Sequence, residues 1–120
     1  MFTTTPVLEN VVYGTASGNY DGSSQLFFSN AVPAVSYYAG NGSIQTINYS
    51  VTGFIGIITI QATLNDLPDQ ASWVDISVRG DGSTADFGTT TSTITGNFSW
   101  IRARVEAFDA GIIQLVSVSY

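Results

Sequence analysis

The sequence contains no cysteine and no histidine. The first absence excludes disulfides and thiolate metal sites. The second removes the side chain most used as a general base and as a transition-metal ligand. Lysine is also absent, so Arg79, Arg102 and Arg104 are the whole basic inventory. Schiff-base chemistry and a Walker-type phosphate loop both need lysine and are excluded. Serine and threonine are abundant, but no histidine or lysine is present to activate one as a nucleophile.

Charge is scarce. Only 10% of the 120 residues are charged, and the formal net charge is −6. Duplex-binding proteins neutralise phosphates with Lys and Arg, so nucleic acid is not an expected partner. An anionic membrane surface would repel the chain for the same reason. The mean hydropathy of +0.23 is high for a soluble monomer, in which about a quarter of the residues are charged. The expectation is that another chain covers some apolar surface. The start, Met1-Phe2-Thr3-Thr4-Thr5-Pro6, lacks a basic segment followed by an apolar one, so use without export is expected. The most apolar stretch, 54–60, is far short of the roughly 20 residues of a membrane helix.

What the sequence does contain is alternation. No segment sustains a 3.6-residue apolar period; short runs rich in Val, Ile, Tyr and Phe are separated by Gly, Ser, Thr and Asn. That pattern predicts an all-β domain. The strands read as Val7–Thr15, Gln25–Ser29, Val32–Ala39, Ser43–Val51, Phe54–Leu64, Trp73–Arg79, Ala85–Thr90, Asn97–Phe108 and Ile112–Tyr120. Asp21-Gly22, Asn41-Gly42 and Asp81-Gly82 are hairpin-type dipeptides. Gly53 and Gly96 open strands, and Ala110-Gly111 reads as a tight link between the last two. About eight or nine strands in one domain, 1–120, fit a β-sandwich of jelly-roll type, with a closed barrel as the alternative.

One strand stands apart. In 97–108, Ile101, Ala103, Val105 and Ala107 alternate on one face. Phe98, Trp100, Arg102, Arg104, Glu106 and Phe108 alternate on the other. The first set suits a core. The second is too aromatic for a solvated face and too charged for a core, and contact surfaces are enriched in aromatics and Arg. The last strand places Ile112, Val116 and Val118 on one face and Ile113 and Leu115 on the other. The C-terminal hairpin, with Phe98, Trp100, Arg102, Arg104, Phe108, Ile113 and Leu115, is the expected interface. Trp73, Tyr37 and Tyr38 could instead stack on sugar rings, although packing suits them equally.

Other motifs carry less. A glycosidase needs two facing carboxylates, and only Asp75 and Glu106 lie mid-strand; they read better as solvated strand positions or as partners of Arg102 and Arg104. Asn65-Asp66 with Asp69, and Asp81 with Asp86, could offer oxygens to calcium but lack an EF-hand spacing. Arg79-Gly80-Asp81 spells an adhesion tripeptide but also suits a hairpin. Asn41-Gly42-Ser43, Asn48-Tyr49-Ser50 and Asn97-Phe98-Ser99 match the glycosylation pattern, read here as polar strand and turn positions. No catalytic residue, metal or cofactor is expected.

Two stretches carry a resemblance. One is Gly56-Ile57-Ile58-Thr59-Ile60-Gln61-Ala62-Thr63-Leu64 with Pro68 and Trp73-Val74-Asp75-Ile76. The other is Gly96-Asn97-Phe98-Ser99-Trp100-Ile101-Arg102-Ala103-Arg104-Val105 with Gly111-Ile112-Ile113. Together they resemble small β-sandwich virion structural proteins of tailed bacteriophages, especially those of cyanobacteria. The resemblance covers the second half of the chain. It implies a non-enzymatic virion component, assembled in the host cytoplasm. The expected form is a homotrimeric capsid decoration or cement protein touching the major capsid protein, or a tail, neck or fibre component. A carbohydrate-binding module for the host surface is the alternative.

Overall fold

A computed structural model describes residues 4–34, 44–64, 73–96 and 98–119. They form seven strands and no helix: β1 (Thr4–Val12), β2 (Phe27–Phe28), β3 (Val32–Pro33), β4 (Ile44–Thr63), β5 (Val74–Arg79), β6 (Asp86–Thr95) and β7 (Trp100–Ser119). All pairings are antiparallel. The count is below the expected eight or nine because two expected breaks are bends. Gly53 and Gly111 do not end strands; they sit inside β4 and β7, each 20 residues long.

Those bends shape the molecule. Gly53 and Gly111 have φ of 61° and 94°, a region that side chains rarely adopt. They also lie against each other, and a Cβ on Gly111 would overlap the Gly53 carbonyl. Both long strands therefore turn at the same place, and the single sheet folds over. Residues 44–52 of β4 pair with β6 and with residues 112–119 of β7, and β1 completes that layer. Residues 55–63 pair with β5 and with residues 100–110 of β7, alongside β2 and β3. The order is β1–β7–β4–β6 in the first layer and β2/β3–β7–β4–β5 in the second. Four positions per layer joined this way make the double Greek key of a jelly roll. The path ends at open edges, so the sheet is not a closed barrel. The shortest dimension, 21 Å, fits two layers about 10 Å apart with their outward side chains.

The core lies between the layers. Ile47, Tyr49, Val51, Val116 and Val118 point inward from the first, and Ile58, Ile60, Ala62, Ile101, Ala103 and Val105 from the second, all buried. Tyr49 crosses the gap: its hydroxyl donates to Ser77 Oγ at 2.7 Å, and burial pushes its pKa up. Near the bends an aromatic cluster plugs one end. Phe108 lies 5.1 Å from Tyr20, 5.6 Å from Phe54 and 5.5 Å from Tyr13, between ring centroids.

Two expected interface residues are thereby corrected. Phe108 is fully buried because the alternation breaks beside it. Ala107 adopts φ 52°, and the pairing jumps from Ile57↔Glu106 to Ile55↔Ala110. This bulge turns Phe108 inward. Ile113 is also fully buried. There the pairing jumps from Ser50↔Leu115 to Val51↔Ile113, so Gln114 is the extra residue and Ile113 joins Val51 inside. Strand β5 differs in the opposite sense. Val74 and Val78, which simple alternation with Ile76 would place inside, are 57% and 60% exposed, because β5 is an edge strand with a bulge in its pairing.

Candidate contact surface

The outward face of the second layer is built from four strands. β7 contributes Trp100, Arg102, Arg104 and Glu106, which face Thr63, Gln61, Thr59 and Ile57 of β4 in register. β5 places Asp75 opposite Gln61. Phe28 of β2 pairs with Arg104, and Trp73 precedes β5.

Gln61 organises the charges. It is buried, and both ends of its amide are used. Its Oε1 accepts from Arg102 Nε at 2.8 Å, and its Nε2 donates to Asp75 Oδ1 at 2.8 Å. The other Asp75 oxygen lies 3.5 Å from Arg104, and Glu106 lies 3.4 Å from the same guanidinium nitrogen. Arg102 is held between two rings, 4.6 Å from the Phe28 centroid and 4.4 Å from that of Trp73. Each such stack contributes about 0.5–2 kcal/mol, more as water is excluded. Burial, and secondarily the charge of Arg104, lowers the Arg102 pKa. Arg102 forms no ion pair among the described residues. It is a fixed cation with no carboxylate partner among the described residues.

The expected interface residues are thus divided. Trp100, Arg102 and Arg104 share this face. Phe98 is half-buried against the core. Leu115 is half-buried on the outward face of the first layer, opposite Ser50 and Glu9. Phe108 and Ile113 belong to the core. Trp73 joins the face through Arg102 rather than through an open ring. Tyr37 and Tyr38 lie outside the described residues. Phe28 and Gln61 complete the surface, where sequence reasoning did not place them, and Asp75 joins it as the arginine partner that the sequence suggested. Gln61 carried a signal, as the amide side chain within Ile57-Ile58-Thr59-Ile60-Gln61-Ala62.

The remaining motifs have structural roles. Arg79 is 9% exposed and donates to both Asp86 oxygens, at 3.0 and 3.3 Å, and to the Tyr49 and Phe87 carbonyls. The adhesion tripeptide therefore has its arginine turned inward. Asp81 accepts from the Ser83 and Thr84 amides at 2.9 Å, which lowers its pKa. Asp21 does the same with Ser23 and Ser24, and its pKa falls to about 2. Asp75 and Glu106 both lie against Arg104. Asp66 and Asp69 are outside the described residues, and no group of three acidic side chains that could hold a metal occurs among the described ones.

A fixed cation between aromatic rings, bordered by paired carboxylates, can dock a complementary surface with little loss of side-chain freedom. No protein-family model matches the chain, and no curated protein matches it.

Proposed function

We propose that this chain is a non-enzymatic virion structural protein of a tailed bacteriophage, in its simplest form a self-associating capsid decoration or cement module. A tail, neck or fibre component is the nearest variant. The observation that carries the reading is the preorganised face of Trp73, Trp100, Arg102 and Arg104. Trp and Arg are the residues in which contact energy concentrates, and here buried Gln61 holds the guanidinium of Arg102 in place. A face of this kind suits a rigid neighbour. Repetition over many copies adds up even where each contact is weak.

The carbohydrate-binding alternative has less support. Its stacking residue, Trp73, already carries Arg102 against its ring. Electron microscopy of purified virions with the protein gold-labelled tests the proposal. Label at regular positions on the particle is expected. Virions without label, together with binding of the protein to a glycan array, would favour the alternative.

A further inference from the structure

β6 is an edge strand. β4 covers one side, and among the described residues no strand pairs with the other. A long open edge is a template for another strand. The other edges of the described structure are interrupted. β1 carries Pro6, a bulge between Pro6 and Leu8, Glu9, and Asn10 at φ 50°. β2 and β3 have two residues each, and Pro33 has no amide hydrogen to donate. β5 has six residues, a bulge, and the charges of Asp75 and Arg79. β6 has ten residues, no proline and no charged side chain after Asp86, which Arg79 neutralises, and its one positive φ, 93°, falls on Gly88 near its start. Its register with β4 runs unbroken from Ile44↔Thr95 to Thr52↔Phe87. On a chain of net charge −6, this uncharged edge is where two copies meet with least repulsion.

Two large apolar side chains flank the edge. Phe87 is 67% exposed and Ile44 is 63% exposed. Phe87 pairs with Thr52 at one end of β6, and Ile44 pairs with Thr95 at the other. Within one chain they cannot meet.

We propose that β6 is a self-pairing edge, on which a second copy of this chain adds its own β6 antiparallel about a two-fold axis near Thr91. That axis sets Phe87 opposite the second copy's Thr95, and the second copy's Ile44 stands beside that threonine on the same face. Opposed residues share a face in antiparallel pairing, and long side chains reach beyond their direct partner. Each Phe87 then covers a threonine methyl and approaches an isoleucine. The symmetry makes the contact at both ends. This deepens the self-association in the proposed function and rests on it, with a two-fold pair in place of the trimer that the resemblance implied.

Sedimentation velocity over a concentration series tests the pairing, on the wild type and on Thr91→Lys, Phe87→Ala and Arg102→Ala, each checked for folding by circular dichroism. The wild type should dimerise. Thr91→Lys should be monomeric, because it opposes like charges at the axis. Phe87→Ala should raise the dimer dissociation constant about tenfold or more, since each dimer loses two contacts; its exposure keeps this variant informative if Thr91→Lys fails to fold. A wild-type dimer insensitive to both edge variants overturns the pairing. If Arg102→Ala alone breaks it, self-association belongs to the outward face and the proposed function stands. A wild type that stays monomeric yet binds virus particles overturns only the edge pairing. One that neither associates nor binds particles overturns both readings.

Discussion

At the scale of single residues, Gln61 and Phe108 explain most of what the surface is. Gln61 is buried with both polar ends bonded, so its neighbours Arg102 and Asp75 are positioned by a group that cannot relax. Phe108 is the centre of the aromatic plug, and removing its ring leaves a cavity. Phe108→Ala should cost about 3–5 kcal/mol, a large share of the roughly 5–15 kcal/mol that a domain has. Chemical denaturation measures it, and a loss below about 1 kcal/mol would mean that Phe108 is a surface residue, as alternation alone suggested. Trp100, Arg102 and Arg104 were legible because β7 alternates without interruption through Glu106. Phe108 and Ile113 were not, because the bulges that turn them inward leave no mark. Alanine at φ 52° and glutamine as an extra strand residue are not turn signatures. Phe28 reaches the face through a pairing between distant segments, which no local pattern reveals.

At the scale of elements, the two bends and one ion pair hold the layers together. Gly53 and Gly111 read in sequence as punctuation, which is right about their backbone and wrong about its consequence. A glycine at positive φ can end a strand or bend it; contact between the two glycines, made only in the folded chain, decides the outcome. The jelly-roll class was legible because the strand segments and their spacing survive when two turns become bends. Arg79 then joins β5 to the start of β6 and to the Tyr49 carbonyl of β4. Its bonds to Asp86 lower that carboxyl's pKa below the ordinary 3.8. A depressed folded pKa gives stability that is present above the unfolded value and is lost as pH falls through the folded one. Wild-type stability should therefore drop as pH falls below about 4. Asp86→Asn should already be weaker at pH 7, by about 1–3 kcal/mol, below the ~3–5 of a fully buried pair because a third of Asp86 remains exposed. It should lose less on acidification. Urea unfolding at pH 7 and pH 3 checks this, and equal acid sensitivity in both proteins would remove Asp86 from the account.

At the scale of the whole molecule, the described residues present two unlike outer faces and one long uncharged edge. The first layer is covered by hydroxyls: Thr46 lies 3.4 Å from Thr93, Ser50 3.2 Å from Thr89 and Thr4 2.9 Å from Ser119, between side-chain oxygens. The second layer carries the arginines and the tryptophans. An acidic chain with one unpaired, ring-clamped arginine among its described residues offers a directional contact to a neighbour. That contact is the core of the proposed role, and particle binding measures it. Co-sedimentation of the purified protein with virus particles lacking it, compared with Arg102→Ala of unchanged circular dichroism, is the most direct measurement. The wild type should co-sediment and the variant should bind about tenfold more weakly or worse, as a central arginine contact requires. Equal binding by the two proteins, or no binding by the wild type, would contradict the account.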